Sequence, residues 1–128
     1  MEKIMVVDDE REFVFVLCER LKDAGFSVVN AYDGKSAIGI AKAEQPDVII
    51  LDIILPDMDG NIVARKLKGD PRTCNIPVIF LTGLLSKNET EKRGASIAGS
   101  IFVPKTAKMK ELFAEINRIL DKKRGREK

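Results

Sequence analysis

Val48-Ile49-Ile50-Leu51-Asp52, continued by Ile53-Ile54-Leu55-Pro56-Asp57-Met58-Asp59-Gly60, is the stretch whose reading decides the fold. An unbroken apolar run too short for a typical helix reads as a strand buried on both faces. Asp52 falls where that strand stops. A carboxylate has little to gain structurally there, because a buried charge is costly unless it is paired or bound to a metal. Pro56 and Asp57-Met58-Asp59-Gly60 mark a tight loop before the next helix. Asp52 is therefore expected at the carboxyl end of a central strand, beside a loop, where open α/β sheets place their sites.

Outward from this stretch, strand and helix patterns alternate. Lys3 to Val7 is a short apolar strand followed at once by Asp8-Asp9-Glu10. From Arg11 to Ala24 the residues Phe13, Val16, Leu17 and Leu21 recur at helical spacing, and Gly25 ends the helix as a left-handed cap. Ser27 to Ala31 is a second strand, and Asp33-Gly34 turns the chain into a helix from Lys35 to Glu44. Ala37, Ile38 and Ala41 are its inner face, and Pro46 stops it. Beyond the central strand, Asn61 to Lys68 is a short helix carrying Ile62, Val63 and Leu67. Pro77 opens a fourth strand, Val78 to Leu81, which ends at Thr82-Gly83. Asn88 to Ala95 is charged and reads as a marginal helix. Ile101 to Val103 is a fifth strand closed by Pro104-Lys105. In the last helix Met109, Leu112, Phe113, Ile116, Ile119 and Leu120 share one face.

Five such alternations imply an α/β fold with parallel strands and helices on both faces. The expected arrangement is a doubly wound, flavodoxin-like (βα)5 domain whose five-stranded parallel sheet has the order 2-1-3-4-5.

Bulk composition narrows the function. The 128 residues suffice for one domain with a real core, and 45% apolar with 33% charged content is ordinary for a soluble protein. The net charge is +2, but Asp121 to Lys128 carries five basic and two acidic residues, +3, leaving −1 for residues 1–120. The body makes no case for direct nucleic-acid binding, and residues 121–128 read as a basic tail or a truncated linker. No run approaches the roughly 18 apolar residues of a membrane span. Cys18 and Cys74 have no metal-ligand spacing and read as reduced thiols of a cytoplasmic protein. The chain has no histidine, which excludes a Ser-His-Asp triad and most zinc sites within it.

The polar exceptions collect at strand ends. Asp8-Asp9 follows strand one, Asp52 strand three, Thr82 strand four and Lys105 strand five. In the expected order all four ends share one edge, and strands one and three meet at the topological switch point. Three carboxylates there would raise one another's pKa unless a cation is present, and oxygen ligands without histidine or thiolate favour Mg2+. Lys105 and Thr82 supply the positive charge and the hydroxyl that a phosphoryl group wants. Asp52 is left as a nucleophile able to form an aspartyl-phosphate. Each residue alone has an ordinary structural reading: an acidic pair caps helices, a threonine turns the chain and a lysine is solvated. Their convergence from four strands favours chemistry.

Val6-Val7-Asp8-Asp9-Glu10, Leu51-Asp52 through Gly60 and Phe80-Leu81-Thr82-Gly83, with Lys105 beyond, make the chain resemble the receiver domain of two-component response regulators over residues 1–120. The resemblance implies that Asp52 accepts phosphate from a phosphohistidine on a sensor histidine kinase or a histidine phosphotransfer protein. It implies Mg2+ bound directly by Asp9, by Asp8 mainly through water, by Asp52 and by the Ile54 carbonyl. It further implies that Thr82 swings toward the phosphoryl group, coupled to the aromatic residue Phe102. That movement would repack the face made by the fourth predicted helix, the fifth strand and the last helix. The output is an altered contact with a downstream protein, with room for a phosphorylation-dependent homodimer, and no turnover of an external substrate. Such domains usually carry Lys-Pro with a cis bond where this chain has Lys105-Thr106. A cis bond before a non-proline costs about 2.5–4 kcal/mol, so a trans bond is expected. Ile54 and Leu84, apolar neighbours of the phosphoryl position, cannot orient an attacking water, and slow self-hydrolysis is expected.

Two other readings compete. Asp57-Met58-Asp59-Gly60 resembles the nucleophile motif of haloacid dehalogenase-type phosphatases, with Asp57 and Asp59 as the acting pair. That motif should follow a strand directly, and Pro56 intervenes. A flavin-binding domain would share the topology but needs a hydroxyl- and glycine-rich phosphate loop where Asp8-Asp9-Glu10 stands.

Overall fold

The computed structural model describes residues 1–83, 101–105 and 107–125, with only the backbone of Thr82. The marginal helix expected over Asn88 to Ala95, Leu84 and the Lys105–Thr106 bond lie outside the described residues. In chain order the elements are β1 (Lys3–Val7), α1 (Arg11–Asp23), β2 (Ser27–Ala31), α2 (Gly34–Glu44), β3 (Val48–Leu51), α3 (Gly60–Lys68), β4 (Val78–Thr82), β5 (Ile101–Pro104) and α4 (Met109–Lys123). The five strands form one sheet in the order β2-β1-β3-β4-β5, every pair parallel. This is the doubly wound arrangement expected from the strand–helix alternation.

The period of two along each strand divides the core into two layers. Ile4 and Val6 of β1, with Val48 and Ile50 of β3, face Val14, Leu17 and Leu21 of α1 and Leu112, Ile116 and Leu120 of α4. Met5, Val7, Ile49 and Leu51 point the other way, onto Ala37 and Ala41 of α2 and Val63 and Leu67 of α3. All four residues of β3 are buried, as a strand covered by helices on both sides must be. The register pairs Val7 with Leu51, which brings the carboxyl ends of β1 and β3 level, and Leu51 with Phe80, two residues before the end of β4.

Two helix faces differ from the periodicity. In α1 the buried set is Val14, Leu17, Cys18 and Leu21, whereas Val16 is exposed and Phe13 only partly buried. The run Phe13-Val14-Phe15-Val16-Leu17-Cys18 is apolar all round, so spacing alone allows more than one inner face, and sheet packing selects between them. In α3, Val63, Ala64 and Leu67 are buried and Ile62 is exposed.

Helix ends follow local chemistry. Gly25 adopts a left-handed φ of 98°, as its position after α1 requires. The Asp33 carboxylate caps α2 by accepting from the Ser36 amide at 2.7 Å. At the other end of the molecule α4 runs on to Lys123, into the segment that reads from sequence as a tail. It is held there by an Lys123–Asp47 ion pair at 3.3 Å and by Arg124 contacts to Glu2 and Asp121.

Candidate phosphoryl-acceptor site

Asp52 is the first residue after β3. Its backbone amide donates to the Val7 carbonyl at 2.9 Å, continuing the β1–β3 ladder by one rung. This bond fixes the Asp52 backbone beside the end of β1, where Asp8 begins the next loop. Asp8 is held the same way from the other side, its amide donating to the Ala31 carbonyl at 3.2 Å. The two carboxylates thus meet at the switch point because the register of three strands places them there. Both are buried, with 2% and 6% of the surface of Asp8 and Asp52 exposed.

Lys105 reaches this pair from the end of β5. Its Nζ lies 2.7 Å from Asp8 Oδ2, 2.5 Å from Glu10 Oε1 and 3.5 Å from Asp52 Oδ2. The lysine stem passes Gly83, where an added Cβ would stand 3.6 Å from its Cδ. Its ammonium also sits 4.7 Å from the centre of the Phe13 ring, within cation–π range.

One ammonium does not compensate three carboxylates. Burial pushes the Asp8 carboxyl above the usual carboxylate range, against the pull of Lys105 and the Glu10 amide. Asp52 is raised by burial and by the Asp8 charge, against Lys105 and the amides of Ile53 and Ile54. Burial alone would lower Lys105, but hydrogen bonds to Asp8 and Glu10 and the Asp52 charge hold it above its ordinary value. The ammonium therefore stays charged, and the cluster carries an excess of negative charge.

The expected residues gather unequally. Asp8, Asp52 and Lys105 come together. Asp9 is exposed. Among the described residues the carboxylates whose oxygens lie within 4.8 Å of one another are Asp8, Glu10 and Asp52. Glu10 is thus a member of the cluster, although the sequence singles out only Asp8, Asp9 and Asp52 as the carboxylates of the site. Its signal was its place directly after the acidic pair, at the N-cap of α1, where its side chain caps no amide. Ile54 is half exposed and its backbone pairs with Asp59 in an isolated bridge. Thr82 ends β4 opposite Pro104, and its side chain lies outside the described residues. Phe102 is stacked on the buried Phe80, with ring centroids 4.8 Å apart and planes at 16°.

The loop after Asp52 folds back closely on the end of β3. Gly60 donates its amide to the Ile53 carbonyl at 2.6 Å. A Cβ at Gly60 would collide with the Asp52 carbonyl oxygen, so only glycine permits this approach. Asp57 and Asp59 serve helix ends instead of a reaction. Asp57 accepts from the amides of Gly34 and Lys35 at 2.7 and 2.9 Å, and Asp59 accepts from the Asn61 amide at 2.8 Å. The phosphatase reading fails on this placement, since its two acids are committed to the amino termini of α2 and α3.

The donor set suits a hard cation: oxygen atoms only, with an ammonium already seated among them. Comparison with known proteins agrees with the geometry. The family model described as response regulator receiver domain matches residues 4–117. The chain is 38% identical over 114 residues to the response regulator PleD of Caulobacter vibrioides, covering 89% of this chain and 25% of that protein. It is 34% identical over 119 residues to the probable transcriptional regulator ycf27 of Porphyridium aerugineum, covering 93% and 48%. The chain therefore spans between a quarter and a half of these relatives. Among solved structures, the chemotaxis protein CheY4 of Vibrio cholerae superposes with a TM-score of 0.82 at 26% identity, covering 93% of this chain and 98% of that one. No helix among the described residues is long and apolar enough to cross a membrane. With strand order, strand-end chemistry and family model in agreement over nearly the whole length, this chain belongs to the response regulator receiver domains, the phosphorylation-activated signalling modules of two-component systems.

Proposed function

We propose that Asp52 is the phosphoryl acceptor. The observation that carries this is a buried carboxylate at the end of the central strand, 3.5 Å from the Lys105 ammonium and beside Asp8. An Asp52 carboxylate oxygen attacks the phosphorus of a partner's phosphohistidine. The new P–O bond forms as the P–N bond breaks, and the electron pair returns to the imidazole nitrogen. The partner is a sensor histidine kinase or a histidine phosphotransfer protein. Lys105 meets the charge of the transferred group, and Thr82 contributes its hydroxyl.

Mg2+ would be held by Asp8, Asp52 and the Ile54 carbonyl. Asp9 would join as the family resemblance implies, which requires its exposed side chain to turn inward. When bound, the ion would supply positive charge that offsets the carboxylates and the phosphoryl oxygens. The domain assists its own phosphorylation and dephosphorylation, and turns over no external substrate.

The output is a population shift. Thr82, drawn to the phosphoryl group, vacates space on β4, and Phe102 repacks against Phe80. Phe102 lacks a hydroxyl, so this switch works through packing alone. The changed surface meets a downstream protein in the cytoplasm or a second copy of the chain, without direct contact to nucleic acid or membrane. The receiver body comprises residues 1–120 together with the end of α4, which is held by the Lys123–Asp47 and Arg124–Glu2 ion pairs.

The test is intact-mass spectrometry after incubation with acetyl phosphate and Mg2+. The natural chain should gain one phosphoryl group, and D52N none. Full labelling of D52N would refute the assignment.

A further inference from the structure

Glu10 makes the shortest of the three contacts to Lys105, at 2.5 Å, and Asp52 makes the longest, at 3.5 Å. The Glu10 backbone is fixed at the start of α1. Its amide donates to Asp8 Oδ1 at 2.9 Å, and its carbonyl accepts from the Val14 amide at 3.0 Å. Its side chain is 64% exposed, on the solvent side of an ammonium whose own side chain is only 13% exposed. The Phe13 ring provides a second hold on the same ammonium.

We propose that Glu10 is a positioning residue for Lys105: it draws the ammonium toward the rim of the site and so limits the lysine's competition with Mg2+ for Asp8 and Asp52. The inference rests on the metal-binding reading given above. An ammonium seated between Asp8 and Asp52 satisfies the same negative charges that a divalent ion needs. A third carboxylate outside that pair offers the ammonium another partner at little desolvation cost, because it remains largely in water. When the cation takes Asp8, Lys105 loses one contact and keeps the one to Glu10. It thereby stays beside Asp52, in reach of an incoming phosphoryl group. Without Glu10 the ammonium has only the two buried carboxylates, and settles between them.

The test is a double-mutant cycle on the unphosphorylated chain, with Mg2+ titrated calorimetrically into the natural chain, E10Q, K105M and E10Q/K105M. E10Q should weaken Mg2+ binding roughly threefold to tenfold, the coupling expected of neighbours in one ion-pair network. In the K105M background the same change should alter affinity by less than about twofold, because an exposed charge is screened. The Lys105 side-chain NMR signal should also respond more to E10Q when Mg2+ is saturating, because Glu10 is then the contact the ammonium keeps. An equal loss in both backgrounds would make Glu10 a ligand or a bulk charge and overturn the proposal, as would an unchanged affinity of E10Q. Failure of the natural chain to bind Mg2+ would instead bring down the metal-binding reading itself.

Discussion

The two edges of the sheet carry similar residues in opposite electrostatic states. At the amino-terminal edge, charges are matched. Lys3 pairs with Glu44 at 2.7 Å, its amide donates to Asp47 at 2.8 Å, and Lys123 reaches Asp47 at 3.3 Å. Arg124 bridges Glu2 and Asp121. Burial pushes Asp47 upward, but the Lys3 amide and Lys123 outweigh it and hold the carboxyl below the usual range. At the carboxyl-terminal edge three carboxylates share Lys105, and Asp8 and Asp52 stay above that range. The matched edge supports the fold. The unmatched edge holds charge that a cation and a phosphoryl group would satisfy, at a cost in stability when they are absent.

Charge substitutions at each edge test this contrast. K105M should have the largest effect, about 3 kcal/mol of destabilisation at neutral pH by urea denaturation, since it strips the shared cation from buried carboxylates. The deficit should shrink as acid protonates Asp8 and Asp52. D52N should act in the opposite direction, stabilising by about 1 kcal/mol at neutral pH. A carboxyl raised in the folded state binds its proton more tightly there than in the unfolded chain, so its ionisation costs stability as pH rises through the folded value. The D52N advantage should therefore be complete above that value and disappear below the ordinary carboxylate pKa of 3.8. D47N, at the matched edge, should destabilise by about 0.5 kcal/mol, a small figure because the carboxylate is 35% exposed and screened by solvent. A lowered carboxyl contributes above the unfolded pKa and loses its contribution as pH falls through the folded value, so this deficit should vanish in acid. If D52N and D47N shifted thermal stability in the same direction at neutral pH, the contrast between the edges would be wrong.

Much of this arrangement is legible in the chain alone. The apolar runs of β1, β3 and β4 read unambiguously as buried strands, and the polar residues that end them announce a common edge. Where spacing failed, the cause is physical. Val16 and Ile62 lie on amphipathic helices with more apolar residues than the core accepts, and only packing against the sheet chooses among them. Glu10 reads as one more acid at a helix start, because nothing in one dimension shows that Lys105, 95 residues away, arrives opposite it. Asp57 and Asp59 resemble a reactive pair whose distance from the strand, across Pro56, already counts against it, and the amides of two helices are seen to occupy them.

Local pattern determined the elements, their parallel sheet and the place of Asp52 at a strand end, since burial on both faces and a charge at a strand end leave their mark in neighbouring residues. Which carboxylates share the ammonium, and which merely cap helices, was decided only in three dimensions. Those pairings depend on distances between segments remote in the chain, set by the register of β1, β3 and β5 and by the entry angle of α1.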